Sequence, residues 1–298
     1  MLWIFLGLIS CLFLGFYDIA KKYSLKDNAV IPVLFFASAT GSALFLPFIV
    51  ASHSGWLPEP SLFFVPNITW QVHGLILMKS LLVGASWIFA YFALRQLPLT
   101  IVTPIRATGP IWTLLGALIV YHESYNWQQW VGITLVLFFF YMFSLAGNKE
   151  GIRFKNNRWI YFILIATLLG SISTLYDKYL IAHYPRMAVQ AWFSVYMIPV
   201  FFPFLAFLWF PRRKKGFPFQ WRWSIVVIGI LLTIADFAYF YALTDDRALI
   251  TILSVLRRTS VVISFVGGAI LFKEGNIKHK AWALAGILAG VLLVVFGS

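Results

Sequence analysis

The chain has 298 residues, of which 61% are hydrophobic and 11% are charged, and its net charge is +13. This composition, with a mean hydropathy of +0.86, excludes a water-soluble fold and indicates a polytopic membrane protein. Most Lys and Arg lie in short segments between apolar runs, so the charge predicts membrane topology and not nucleic-acid binding. A single cysteine, Cys11, excludes a disulfide framework and a cysteine-based metal site.

Ten apolar runs are long enough to cross about 30 Å of hydrocarbon as helices. They are too long and too uniformly apolar for barrel strands, which alternate over about ten residues. The predicted spans are residues 2–20, 29–51, 72–94, 98–120, 128–147, 158–180, 187–210, 222–243, 247–272 and 280–297.

The loops between these spans differ in their content of Lys and Arg. Loops after odd-numbered spans hold 16 of these residues, and loops after even-numbered spans hold 2. By the positive-inside rule, the odd-numbered loops lie in the cytoplasm and both termini lie outside it. We therefore expect a multi-pass protein of a bacterial inner membrane, with the lipid bilayer as its main surrounding.

Two segments of the chain resemble each other in the same order in both halves. Residues 106–123 (RATGPIWTLLGALIVYHE) and 257–274 (RRTSVVISFVGGAILFKE) share Arg, Thr, Gly and Glu at four positions. The first and sixth spans end in FYDIAKKY (16–23) and LYDKY (175–179). The matches predict a first repeat at 1–147, a cytoplasmic linker at 148–157 and a second repeat at 158–298. Because each repeat has five spans, the second is inverted in the membrane, as in secondary transporters.

These features resemble one known family. The fourth span is rich in Pro and Gly and ends in Glu123, the ninth ends in Glu274, and a helix led by Trp130 or Trp282 follows each. This arrangement resembles the EamA-type members of the drug/metabolite transporter superfamily. The resemblance implies an all-α integral membrane protein whose ten transmembrane helices form two inverted five-helix repeats. It also implies a carrier of small metabolites or drugs, with a central cavity lined mainly by the first, third, fourth, sixth, eighth and ninth spans.

Charged residues far from the ends of the predicted spans are the main candidates for a site. They are Lys79, Arg106, Asp236, Arg257 and Arg258. Each costs about 2.5–3.5 kcal/mol to insert, so each is expected to face a cavity or a partner. Four bases against one acid predict a substrate that supplies a carboxylate, phosphate or sulfonate. The alternative is that the bases bind helix carbonyls or reach toward water along their stems.

The sequence around Arg106 contains Pro98, Pro104 and Pro110, each of which lacks a backbone donor. The prolines predict either a broken helix, whose free carbonyls and amides build a polar site, or a simple kink.

Other polar and aromatic residues in the spans each have two interpretations. Asp236 shares a helix face with Tyr239, so it can carry a proton in coupled transport or form an ion pair with an arginine. Trp87, eight residues after Lys79, can stack on substrate or simply pack. Near the ends of the first and sixth spans lie four candidate gate residues, which can also be interfacial ion pairs: Asp18, Lys22, Asp177 and Lys178.

The sequence as a whole predicts a secondary transporter of a small polar metabolite, anionic or zwitterionic, that works by alternating access. The alternatives are an exporter of amino acids or amphiphilic drugs, and a channel or membrane assembly subunit. No set of nucleophile, base and orienting residue indicates an enzyme, and no motif indicates a cofactor or a metal. Coupling to a proton or a counter-substrate, and a homodimer, stay open.

Overall fold

A computed structural model describes residues 2–121, 126–148, 154–213, 218–242, 257 and 259–296. Each regular element within these residues is helical. In the first half the helices are α1 (Leu2–Leu25), α2 (Val30–His53), α3 (Trp70–Gln96), α4 (Leu99–Ala107), α5 (Gly109–Tyr121) and α6 (Trp127–Asn148). In the second half a short 3₁₀ turn (Phe154–Asn156) precedes α7 (Arg158–His183), α8 (Arg186–Pro203), α9 (Trp223–Ala242), α10 (Ser260–Leu271) and α11 (Ile277–Phe296).

Six of these segments are long and apolar enough to cross a membrane. They coincide with the first, second, third, sixth, seventh and eighth predicted spans, the seventh extending from α8 through π and 3₁₀ turns to Arg212. The ninth predicted span (247–272) includes residues 247–256, which lie outside the described part of the chain. The count of ten spans therefore stays a prediction.

The helices are longer than the apolar runs that predict them. α1 continues to Leu25, five residues beyond the predicted end, and α7 continues to His183. The charged residues near these ends do not stop the helices, because their side chains contact neighbouring helices within the protein. This extra length places Asp18 and Asp177 deeper than the sequence predicts.

The fourth predicted span is interrupted between Ala107 and Gly109, as in the first of the two alternatives that its prolines allow. α4 ends at Ala107, and the Thr108 amide donates to the Ile105 carbonyl (3.2 Å) in place of a helical i−4 partner. Pro110 has no N–H to offer the Arg106 carbonyl, so the helical ladder cannot continue across this point. The hydroxyl of Ser171 in α7 donates to the Gly109 carbonyl (2.9 Å), which satisfies an acceptor at the break.

Helix packing joins the two halves of the chain. α1 packs most extensively on α9, α3 on α7, α2 on α8 and α6 on α11. Close approach depends on glycine, since a Cβ at Gly229 of α9 would lie 2.5 Å from the Ala37 carbonyl oxygen of α2. Large apolar side chains such as Phe5 (60% exposed) and Phe207 (77%) cover the outer surface, as expected for a lipid-facing protein.

A central cluster of buried side chains draws on both halves. It includes Tyr17, Val33, Tyr91, Ile163 and Phe201, which come from α1, α2, α3, α7 and α8. The charged residues of the candidate site lie around this cluster, on the helices that meet at the centre of the molecule.

Candidate functional site

The first group of charged residues, here called the first-half cluster, is built around Asp18 of α1. Its Oδ1 pairs with Lys21 Nζ (2.6 Å) and with an Arg106 guanidinium nitrogen (2.8 Å). Its Oδ2 accepts a hydrogen bond from the Ser264 hydroxyl of α10 (3.2 Å). Lys21 Nζ also lies 4.0 Å from the centre of the Tyr17 ring. Thus one carboxylate holds two bases, and the cluster joins α1, α4 and α10.

The exposure of these side chains differs within the first-half cluster. The Asp18 side chain is 9% exposed, whereas the Arg106 side chain is 39% exposed. The carboxylate is therefore enclosed by protein, while part of the Arg106 side chain is exposed. Arg106 has donors to spare, because a guanidinium carries five N–H groups.

A second group, the second-half cluster, consists of two ion pairs. Lys79 Nζ of α3 pairs with Asp177 Oδ1 of α7 (2.6 Å), and Arg257 pairs with Asp236 of α9. Each base also lies against an aromatic ring. Lys79 Nζ is 4.6 Å from the Phe193 ring centre, and the Arg257 guanidinium is 4.3 Å from the Tyr239 ring centre. These contacts are cation–π interactions that stabilise the bases away from water.

The two clusters belong to one region of the molecule. Asp177 interacts electrostatically with both Asp236 and Arg257. Tyr17 of the first-half cluster interacts with Asp18, Arg106 and Asp236. Within the described residues, the two clusters together hold the bases Lys21, Lys79, Arg106 and Arg257 and the acids Asp18, Asp177 and Asp236. The one surplus positive charge falls in the first-half cluster, where two bases share a single carboxylate.

This geometry corrects the expectation that Asp236 alone is available to neutralise the intramembrane bases. Lys79, Arg106 and Arg257 are each paired with a carboxylate. The Asp236–Arg257 pair is one of the two predicted roles of Asp236, whereas the partners of Lys79 and Arg106 were missed, because Asp177 and Asp18 were placed near the span ends. With α1 and α7 extending further, both acids lie well inside their helices. The charge argument for a purely anionic substrate therefore no longer holds.

The remaining predicted site residues have different surroundings. Trp87 is stacked with Phe201 and lies edge-on to Phe193, so it packs beside the second-half cluster. Lys22 does not pair with Asp18. Its Nζ donates to the carbonyls of Leu94 (2.8 Å) and Leu97 (2.5 Å) at the end of α3. Arg258 and the Lys178 side chain lie outside the described part of the chain.

The corner between α3 and α4 is held by residues from the other half. Glu274 accepts hydrogen bonds from the amides of Leu99 and Thr100 (2.7 Å each), which caps the first turn of α4. Lys280 of α11 donates to the Thr100 hydroxyl (3.0 Å). The sequence identifies Glu274 only as a boundary residue, and its cap contact now gives it a role in positioning α4. Glu123 lies outside the described residues.

Two buried polar residues, Tyr91 and Gln190, escape sequence reasoning. Tyr91 is 2% exposed and lies 5.4 Å from Lys21 Nζ. Gln190, near the start of α8, is 5% exposed, and neither atom of its amide has a hydrogen-bond partner.

Metal binding has no support in the part of the chain that the structure describes. There, no group of three or more His, Cys, Asp or Glu side chains is arranged to hold an ion. The chemistry that the two clusters offer is recognition of charge, with a reachable guanidinium on one side and partly exposed carboxylates on the other.

Comparison with known proteins adds a family and several relatives. A family model described as the EamA-like transporter family matches residues 1–145 and 157–296. The S-adenosylmethionine uptake transporter of Rickettsia felis (strain ATCC VR-1525 / URRWXCal2) is 22% identical over 295 residues, which are 99% of this chain and 91% of that protein. The S-adenosylmethionine uptake transporter of Rickettsia bellii (strain RML369-C) is 26% identical over 179 residues. That match covers 60% of this chain and about half (55%) of the R. bellii protein.

The fold also resembles a solved structure, named only as the crystal structure of a protein. Its TM-score is 0.62 at 14% sequence identity, and the superposition covers 98% of each chain. At this identity the likeness concerns the fold alone.

Proposed function

The chain belongs to the EamA-like transporter family, and from this premise we propose that it is a secondary transporter of a small zwitterionic metabolite. The observation that carries the proposal is the meeting of the two charged clusters at the centre of a membrane transporter. Ionisable residues inside a membrane protein are costly and mark substrate pathways. The site offers charges of both signs, which suits a ligand that carries both.

S-adenosylmethionine is the substrate that fits best. It is named for the two relatives, and it carries a carboxylate, an ammonium group and a sulfonium. We assign Arg106 to the substrate's carboxylate, because the first-half cluster has a surplus positive charge and the Arg106 side chain is 39% exposed. Asp177 and Asp236, whose side chains are 29% and 23% exposed, then face the positive groups. Lys79, Arg257, Trp87 and Tyr239 complete the proposed site around these two acids.

We propose that the fold is a ten-span inverted repeat, with repeats at 1–147 and 158–298. In this scheme α1, α2, α3, α5 and α6 correspond to α7, α8, α9, α10 and α11. If each helix is replaced by its counterpart in the other repeat, the pair α1–α9 becomes the pair α7–α3, and both pairs are in contact. In the same way the pair α5–α7 becomes the pair α10–α1, and these two pairs are also in contact. This recurrence supports two related halves that move against each other in alternating access.

The gate assignments follow from the same scheme. Asp18 binds bases from its own helix and from α4, and Asp177 binds a base from α3. Lys22 ties α1 to the α3–α4 corner. Opening either side of the membrane separates these helices, so we propose that Asp18, Lys22 and Asp177, with Lys178, act at the gates. With both termini outside the cytoplasm, the α3–α4 corner is on the cytoplasmic side.

Counterflow in proteoliposomes tests the function directly. Vesicles containing the purified protein and loaded with unlabelled S-adenosylmethionine should accumulate labelled S-adenosylmethionine, and the initial rate should saturate. Empty vesicles give the background. Arg212→Gln, at an exposed residue in the turns after α8, is the control variant and should transport like the parent.

Three other results would contradict the proposal. A flux that rises without saturation would indicate a channel. Uptake of amino acids or amphiphilic drugs, without S-adenosylmethionine, would indicate the alternative substrate classes. No flux for a broad panel of ligands would indicate an assembly subunit.

A further inference from the structure

Gln190 is a buried polar side chain that neither charged cluster uses. It is 5% exposed, and both its Oε1 acceptor and its Nε2 donors lack a hydrogen-bond partner. An amide in this state costs free energy, because it has lost its water without gaining protein contacts. A residue of this kind needs an explanation, and a ligand is one that its position supports.

Its position on α8 directs Gln190 toward the centre of the molecule. Met197 and Phe201 follow it by seven and eleven residues, which places all three on one helix face. Both of these residues are 1% exposed and belong to the central buried cluster. Phe193, one turn after Gln190, lies over Lys79 of the second-half cluster. Gln190 is therefore about one helical turn along α8 from Phe193, which contacts Lys79 of the proposed site.

The helix that packs along α8 carries further unsatisfied groups. Ser38 and Ser42 of α2 are buried, and neither hydroxyl has a hydrogen-bond partner. They continue the stripe formed by Phe45 and Ile49, which packs against Met187, Ala188 and Ala191 of α8. Unsatisfied polar side chains thus occur on both α2 and α8, two helices that pack against each other.

We propose that Gln190 recognises the adenine base of the transported substrate. This inference rests on the proposed function and adds the residue that recognises the 6-aminopurine ring of the substrate. A glutamine amide matches adenine in two hydrogen bonds. Its oxygen accepts from the 6-amino group, and its nitrogen donates to the neighbouring ring nitrogen. Aromatic faces such as Phe193 and Trp87, which lie near the same end of the site, can stack on a purine.

Recognition of the adenine base also explains why the protein keeps the unsatisfied amide of Gln190. A site built to hydrogen-bond a substrate group rejects analogues that lack the group, because its own polar atoms are then left unpaired. Gln190 weakens the empty protein and gains its two hydrogen bonds only when the base is bound. The charged clusters bind the amino-acid end of the substrate, and Gln190 selects the base at the other end.

The test compares adenosine with purine riboside, which lacks the 6-amino group. Dissociation constants are measured by ligand-dependent thermal stability of the purified full chain. The parent protein should bind adenosine at least about tenfold more tightly than purine riboside. In Gln190→Met, which keeps the volume without polar atoms, the two ligands should bind equally. Gln128→Met, at an exposed glutamine of α6, is the matched control and should keep the preference.

A second readout distinguishes ligand recognition from a structural role. Because the Gln190 amide has no partner to lose, Gln190→Met should keep or raise the melting temperature of the empty protein. A lower melting temperature would show a structural partner and overturn the inference. Equal binding of both nucleosides by the parent, or a preference that survives in Gln190→Met, would overturn it as well. Absence of S-adenosylmethionine binding, alongside a Gln190-dependent preference for adenosine, would instead refute only the substrate in the proposed function.

Discussion

The first-half and second-half clusters contain corresponding residues that are paired differently. In the internal repeat that we propose, Asp18 corresponds to Asp177 and Arg106 to Arg257. Asp18 and Arg106 bind each other, whereas Asp177 binds Lys79 and Arg257 binds Asp236. The first-half cluster thus concentrates two bases on one enclosed acid, and the second-half cluster, which includes Lys79 of α3, spreads two bases over two more exposed acids.

This difference in ion pairing indicates different roles for the two clusters. An enclosed carboxylate that holds two bases contributes mainly to the stability of the fold, and it leaves Arg106 with unused donors for an anionic group. Two pairs with exposed acids contribute less to stability, and they can exchange partners with a cationic ligand at a lower cost. The following variants are ordered from the largest expected effect to the smallest.

Removing the charge of Asp18 should have the largest effect on stability. Asp18→Asn leaves the buried Lys21 and the partly exposed Arg106 without a counter-ion, so the loss should be about 3–5 kcal/mol. Asp177→Asn should cost less, because it removes the counter-ion of one base, Lys79, and not of two. Melting temperatures of the two purified variants check this order. Equal losses would remove the proposed difference between the halves.

The two residues of the Lys79–Asp177 ion pair should be exchangeable. Lys79→Asp or Asp177→Lys alone places like charges in contact and should reduce transport at least tenfold, while the double exchange should recover much of the rate. The same exchange between Arg106 and Asp18 should not recover, because Lys21 then faces a second base in place of its acid. Initial uptake rates for the six variants provide the comparison, and recovery at both sites would show that the halves are alike.

Asp236 separates an ion-pair role from a proton-carrying role. Its contact with Arg257 supports the ion pair. Asp236→Asn should then slow transport about tenfold at every pH between 5.5 and 8, with an unchanged profile, because a neutral partner gives a weaker hydrogen bond to the guanidinium. Uptake measured across this range checks the prediction. A parent rate that depends on pH, together with a variant rate that does not, would establish proton carriage instead.

The cap of α4 should have the smallest effect. Glu274→Gln keeps an acceptor for one amide but loses the charge, so the expected loss of stability is about 1 kcal/mol. Glu59→Gln, at an exposed residue in the loop after α2, controls for the change of net charge. A loss several times larger would mean that Glu274 holds the α3–α4 corner through more than a helix cap.

Much of the fold was predictable, because apolar length is a local property of the sequence. The six long spans, the break beside Pro110 and the family followed from composition, proline chemistry and the repeated segments. The ends of α1 and α7 were not predictable, since their last turns are polar and are stabilised by contacts with other helices. The missed partners of Arg106 and Lys79 follow from those ends, because Asp18 and Asp177 looked peripheral.

Gln190 shows a second limit of the sequence. A lone amide near the start of a span is common at membrane interfaces, and only the packing of α8 reveals that this one is buried without a partner. By contrast, the distance of Arg106 from the span ends was enough to identify it as a candidate site residue.

The central claim is that Arg106 binds the carboxylate of a zwitterionic substrate. The most direct measurement is the ratio of dissociation constants for S-adenosylmethionine and its decarboxylated form, in the parent and in Arg106→Gln. The account predicts that the parent prefers the carboxylated ligand at least about tenfold and that the variant binds both alike. The same preference in parent and variant would contradict it.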